Sequence, residues 1–386
     1  MTDLVTRPAP PRVGPVRRAT PALAGYVAVR ALGVIVLALW SAARGTSPHT
    51  LLTARWDSLW YTRVAALGYG YEVRLPNGDV HSNLAFFPLL PWLERLGAVL
   101  TPLSYADAGL VVSTLASLAA AWGIFAVADH VYGRRVGVCA VAVWAVLPVG
   151  IVQSMAYSES LFTALAAWSL YAVLTQRWVT AAVLASLAGL TRPVGVAVVA
   201  AVWAAAIASY ARDRHAPAAH GGPRRALGMF LAPLGAAGYV LWVGHHTGKG
   251  PLGYLDVQAG WRNGFDGGYA FARFIADKFT SFPSVLAGVG LVVGVALIIW
   301  LYVVCVRQGQ PLPLLVYAGA VTALALCASS YFGSKPRLLL PAFPLLLPLA
   351  RLLARGRPRR SVAVLAGVAV ASAVYGAWWL NGSGPP

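Results

Sequence analysis

The sequence predicts an all-α polytopic membrane protein with about eleven transmembrane helices. Three observations carry that reading. Apolar runs long enough to cross a bilayer recur along nearly all of the 386 residues; 59% of the residues are hydrophobic and only 11% charged, with a mean hydropathy of +0.68; and basic residues gather in alternate loops. The expected spans start near Pro21, Ala106, Val136, Ser158, Val179, Pro193, Ala226, Ser284, Leu312, Leu338 and Ser361, each roughly 15 to 23 residues long.

With the N-terminus placed in the cytoplasm, the inner segments collect seventeen arginines against three acids, and the outer segments carry twelve basic residues against nine acids. That asymmetry sets the orientation by the positive-inside rule and accounts for most of the +18 formal charge. Nucleic-acid binding is excluded as a reading, because it needs a basic patch on a soluble domain. Residues 1–20, rich in Pro and Arg, are expected to form a disordered basic cytoplasmic tail. A single membrane domain then covers residues 21–380, followed by a short outer tail at 381–386. Arg17 and Arg18 resemble a twin-arginine signal, but the long span that follows reads as a signal-anchor. Arginine outnumbers lysine 27 to 3 beside abundant Ala, Gly and Val, which suggests GC-rich coding and a bacterial plasma membrane. Cys139, Cys305 and Cys327 lie inside apolar runs, so neither disulfides nor a metal site is expected.

The outer segments at about 41–105 and 248–283 hold aromatic residues, acids and bases together, and are read as the catalytic face. Trp56, Leu59, Trp60, Val64 and Leu67 recur at helical spacing, which predicts an amphipathic helix on the membrane surface. The run Asn83 to Trp92 predicts a second, dipping into the headgroup layer. A loop built along the bilayer face suits a substrate with a lipid tail.

Five blocks carry a family resemblance: Arg55-Trp56-Asp57, Asn83 to Pro88, Ala156 to Phe162, Leu187 to Arg192, and Gly333-Ser334-Lys335-Pro336-Arg337. In order and spacing they resemble the PIG-V family of GT-C-type mannosyltransferases. The resemblance implies a polytopic enzyme that takes mannose from a polyprenyl-phosphate donor on the non-cytoplasmic face, as the eukaryotic member does for the second mannose of the GPI anchor. A bacterial chain has no GPI precursor to offer, so the acceptor is expected only to be a lipid-linked or extracytoplasmic glycan.

Such a transfer needs a base for the acceptor hydroxyl and positive charge for the departing phosphate. Asp57 is the candidate base; an N-cap, or an ion pair with Arg55 or Arg63, is its structural alternative. Glu159, opening the fourth span, is a candidate second carboxylate that orients the acceptor, or an acid held there by the helix dipole. Trp56 is a sugar-stacking platform or an interface anchor, and Arg55 beside it is a further candidate substrate contact. Arg337, then Arg192 and Lys335, are the candidate phosphate ligands. His81 is a weaker substrate contact in a segment where Asn77-Gly78 signals a solvated loop. No cofactor or metal is expected, since Asp57 has no acidic neighbour within a turn and arginine and lysine can hold a lipid monophosphate. Inversion at the anomeric carbon follows from a single displacement. The rival class is a transporter or lipid flippase, which places ionisable groups deep in the membrane or shows repeated halves with broken helices. Here Arg30 is the one basic residue inside an expected span, and the acids lie at span ends or in loops.

Overall fold

The structure, a computed structural model, describes residues 14–213, 222–329 and 331–382. Helix α1 (Pro15–Ala43) is followed by α2 (Pro48–Thr53), α3 (Asp57–Leu67), a hairpin of β1 (Glu72–Arg74) and β2 (Val80–Ser82), and α4 (Leu89–Leu100). Next come α5 (Tyr105–Tyr132), α6 (Arg134–Ala145), α7 (Ser158–Leu174), α8 (Trp178–Gly189), α9 (Val196–Asp213), α10 (Gly222–Leu231) and α11 (Leu234–His246). A second surface segment holds α12 (Gly253–Gly260), β3 (Gly264–Phe265) and α13 (Tyr269–Asp277). The chain ends through α14 (Ser284–Arg307), α15 (Leu312–Cys327), β4 (Ala328–Ser329), α16 (Lys335–Leu338), α17 (Leu347–Arg355) and α18 (Pro358–Leu380).

A helix begins within a few residues of each expected span start, yet the lengths differ. Among the described residues six helices are long and apolar enough to cross a membrane: α1, α5, α9, the continuous pair α10 and α11, α14 and α18. The segments Phe332–Leu338 and Phe343–Arg355 meet at 75°, as a broken span or re-entrant loop would; counted as one, they make seven. α7, α8 and α15 are shorter apolar helices, and α6 has only 12 residues. Six or seven of the eleven expected spans thus reach that length while α6, α7, α8 and α15 fall short of it, because hydropathy counts apolar residues and does not see bends at Pro and Gly. α1 opens at Pro15, so residues 15–20 are helical where a disordered tail is expected; residues 1–13 and 383–386 lie outside the described residues.

Small residues let the helices approach closely, as membrane packing favours. Gly235 on α11 lies so near α8 that a Cβ there would sit 1.8 Å from the Ser186 carbonyl oxygen, and a Cβ on Gly189 would meet the Ala236 backbone nitrogen at 2.7 Å. That crossing fixes the end of α8 from which Arg192 projects. The turn between α16 and α17 is pinned from two sides, by Trp144 Nε1 donating to the Leu340 carbonyl at 3.1 Å and by Tyr317 Oη donating to the Pro341 carbonyl at 3.0 Å. Arg30, inside α1, donates to the carbonyls of Ala145 and Gly150. It closes the frayed end of α6, which explains a cation inside a span.

The surface segments depart from the sequence reading in detail. α3 forms as the spacing predicts, but the Asn83–Trp92 stretch is a short 3₁₀ turn at Asn83–Ala85 followed by α4. Asn77 and Gly78 close an antiparallel hairpin, with Gly78 at φ +89°, where a solvated loop is the sequence expectation. Asn83 is fully buried, accepts from the Gly70 amide and donates to the Gly68 carbonyl, and so sets the path of the chain out of α3.

Candidate functional site

Asp57 is the first residue of α3, and Trp56 before it has φ +49°, a left-handed conformation that a bulky side chain rarely adopts. Neighbours hold this strained turn. The Ser58 hydroxyl accepts from the Arg55 amide at 2.9 Å and donates to the Arg55 carbonyl at 2.7 Å. The Arg55 guanidinium lies over the Trp56 ring at 3.9 Å and donates to the carbonyls of Leu380 and Gly382 at the end of α18. Arg55 and Trp56 thus aim the following carboxylate and tie it to the last helix.

Four of the sequence-predicted residues meet. Arg337 Nη1 donates to Asp57 Oδ2 at 2.5 Å, and its Nε lies 3.3 Å from Glu159 Oε1. Arg192 Nη1 lies 2.6 Å from the same Glu159 oxygen and donates to Ser158 Oγ at 3.0 Å. Tyr61 Oη and Ser158 Oγ share a hydrogen bond of 2.7 Å, and the Arg337 guanidinium lies 5.1 Å from the Tyr157 ring centre. Two carboxylates and two guanidiniums from four separate segments form one formally neutral cluster. Its geometry follows from helix ends: Asp57 and Glu159 sit in the first turns of α3 and α7, while Arg337 is in the last turn of α16 and Arg192 just follows α8. The dipoles of α3 and α7 favour the two acids where they stand, whereas Arg192, at the N-cap of the 3₁₀ turn leading into α9, is held by Glu159 and Ser158.

Burial separates the four. The Asp57 side chain is 26% exposed, while Arg192 is 12%, Arg337 10% and Glu159 1% exposed. Asp57 alone offers a substantial open surface. Glu159 is expected from sequence to orient an acceptor; it is instead sealed beneath two arginines, where it holds both guanidiniums. The alternative partners considered for Asp57 are also replaced, since Arg63 stacks on Tyr71 at 3.8 Å and Arg55 serves α18.

Lys335 and His81 lie apart from the cluster. Lys335 is 3% exposed, and its ammonium donates to the carbonyls of Ala325, Leu326 and Ala328 and faces the rings of Phe271 and Phe332. It caps α15 rather than pointing at Asp57. His81, on β2, stacks on Trp261 at 4.0 Å and 10°, and burial lowers its pKa, so the ring is neutral at pH 7. Trp261 meets Trp60 edge-on at 4.9 Å, and Trp60 stacks on Phe86 at 5.6 Å. Trp60 is one helical turn beyond Asp57, so this aromatic wall, rather than Trp56, extends from the cluster on that face of α3. Behind it, a cleft of about 570 Å³ between the hairpin and α12 is lined by Glu72, Asp79, Ser82, His246, Lys249 and Asp256, among others.

The residues that sequence reading missed are Tyr61, Tyr157, Ser158, Trp60 and Trp261. Tyr157 and Ser158 adjoin Glu159 in the chain, and Tyr61 is one turn from Asp57; Trp261 has no local signal. Among the described residues no group of three or more His, Cys, Asp or Glu side chains is placed to hold a metal ion.

A family model described as dolichyl-phosphate-mannose-protein mannosyltransferase matches residues 83–234. That stretch contains Glu159 and Arg192 and lies between Asp57 and Arg337. No curated protein matches the chain in sequence. Among solved structures, ArnT from Cupriavidus metallidurans bound to undecaprenyl phosphate superimposes with a TM-score of 0.52 at 15% identity, over 89% of this chain and 63% of that one. The apo state of the same protein gives 0.51 at 16% identity, over 91% and 62%. The chain thus spans less than two thirds of the length of ArnT. Likeness at this level of identity concerns architecture: the chain is an integral membrane protein with an all-α, GT-C-type fold.

Proposed function

We propose that the chain is a membrane glycosyltransferase of the GT-C type, similar to the PIG-V family, that moves mannose from polyprenyl-phosphate-mannose to a hydroxyl of a lipid-linked or extracytoplasmic acceptor. One observation carries the reading: a partly open carboxylate, Asp57, hydrogen-bonded to a buried arginine in a cluster with a second arginine. The shared fold with ArnT, whose structure holds undecaprenyl phosphate, and the family match over residues 83–234 support it.

In this mechanism Asp57 takes the proton of the acceptor hydroxyl as its oxygen attacks the anomeric carbon. The bond from that carbon to the phosphate oxygen breaks on the opposite face, which inverts the configuration. Arg337 holds the phosphate as its charge grows, with Arg192 braced beside it as a second positive charge. Glu159 is a positioning residue that keeps the two guanidiniums side by side. The aromatic wall of Trp60 and Trp261 receives the sugar. The outer segments 41–105 and 248–283 form the catalytic face, which the charge asymmetry of the loops puts outside the cytoplasm, at a bacterial plasma membrane. The reading requires neither a cofactor nor a metal, so transfer should survive chelation.

The direct test incubates membranes containing the protein with radiolabelled polyprenyl-phosphate mannose. Label should move to a lipid or glycan, with and without EDTA. Full retention of label on the donor across membrane fractions that contain the natural acceptors would reject the reading, and loss with EDTA that manganese restores would reject the metal-free mechanism.

A further inference from the structure

We infer that Arg337 is shared in turn between the base and the lipid phosphate, so that donor binding is the event that frees Asp57. This rests on the proposed transfer and adds an order to it. In the structure the guanidinium already has two carboxylates, Asp57 at 2.5 Å and Glu159 at 3.3 Å, and Arg192 is committed to Glu159 and Ser158. The four charges sum to zero, leaving no spare cation for an incoming phosphate. At 10% exposure, Arg337 cannot add a bulky anion on a fresh face. Glu159, sealed at 1% exposure, cannot leave. Asp57, at 26%, is the one ligand of Arg337 with open space beside it.

The charge flow of the reaction fits the exchange. A polyprenyl-phosphate sugar is a phosphodiester with one negative charge, and the departing polyprenyl phosphate carries two. As the acceptor oxygen bonds to the anomeric carbon, the electron pair of the broken bond goes to the phosphate oxygen, and the hydroxyl proton goes to Asp57, which becomes neutral. One negative charge therefore passes from Asp57 to the phosphate. A guanidinium lying between the two stays paired throughout, leaving the carboxylate as the phosphate claims it. Before the donor arrives, the Asp57 Oδ2 atom is occupied by Arg337; once the guanidinium turns to the phosphate, that oxygen is open to the acceptor hydroxyl. The acceptor hydroxyl is thus deprotonated only when a donor is in place, and idle hydrolysis is suppressed.

Competition for one cation makes a prediction that a purely structural ion pair does not. The protein in lipid nanodiscs is titrated with undecaprenyl phosphate, and binding is compared for wild type, Asp57→Asn and Arg337→Gln. Removing the competing charge should tighten binding of the lipid phosphate in Asp57→Asn by about fivefold or more, the low end of ordinary coupling between sites, while Arg337→Gln weakens it. Should Arg337→Gln fail to fold, Arg337→Lys, with fewer donors, must bind more weakly than wild type. Equal affinity in wild type and Asp57→Asn, with weakening at Arg337, overturns the exchange and leaves the phosphate site standing. Unchanged affinity at Arg337 overturns both.

Discussion

Two arginine–aspartate pairs at opposite ends of the helix bundle show what decides whether a charge pair has consequences. Arg18 and Asp129 form a two-pronged contact of 2.8 and 3.1 Å between α1 and α5, with the arginine side chain 44% exposed. Arg337 and Asp57 make a single bond of 2.5 Å, with the arginine 10% exposed and a second carboxylate and a second arginine beside it. By hydrogen-bond geometry alone the first pair looks stronger. Water and counter-ions screen it, however, so it adds little, whereas the second keeps its charges in a low-dielectric setting where removing one leaves the others without compensation.

The contrast can be broken from its strong side first. Arg337→Ala leaves Asp57 without its partner and Glu159 with Arg192 alone. It should cost about 3–5 kcal/mol of stability, as loss of one member of a buried ionic group does, and abolish transfer; the melting temperature in detergent and the turnover measured together check it. A mild loss of stability would mean that water already enters the cluster. Lys335→Met is the sharper control, because Lys335 is two residues from Arg337 and also buried, yet its ammonium binds carbonyls and faces rings. Freeing those carbonyls should cost about 1–3 kcal/mol and raise amide exchange around residues 325–335, while the affinity for the lipid phosphate stays unchanged. Arg18→Ala, at the other end, should leave both the melting temperature and turnover within error of wild type.

The sequence made the long apolar helices legible, along with the four charged residues that meet. Asp57, Glu159, Arg192 and Arg337 each stand in a short block at a helix end, and helix ends are where a membrane protein can keep charge. It could not reveal which way a cation points. On a helix, two residues differ by about 200° around the axis, so Lys335 and Arg337 in one motif face opposite sides. Arg55 likewise reads as a substrate ligand until α18, more than 300 positions later in the chain, supplies the carbonyls it binds. Trp261 was invisible for the same reason, since its partners His81 and Trp60 come from the first outer segment. The bent α16–α17 segment escaped because its break depends on Pro341 and Pro344 packing against α6, α14 and α15 rather than on hydropathy.

The proposal turns on Asp57 acting as the base rather than as a brace. Asp57→Asn keeps the shape and one hydrogen-bond acceptor for Arg337 but cannot take a proton. With purified protein, polyprenyl-phosphate mannose and the acceptor found by label transfer, turnover should fall by about 100-fold or more, the usual scale for loss of a general base, while the protein stays inserted and monodisperse. Turnover near the wild-type rate in a folded Asp57→Asn protein would contradict the account.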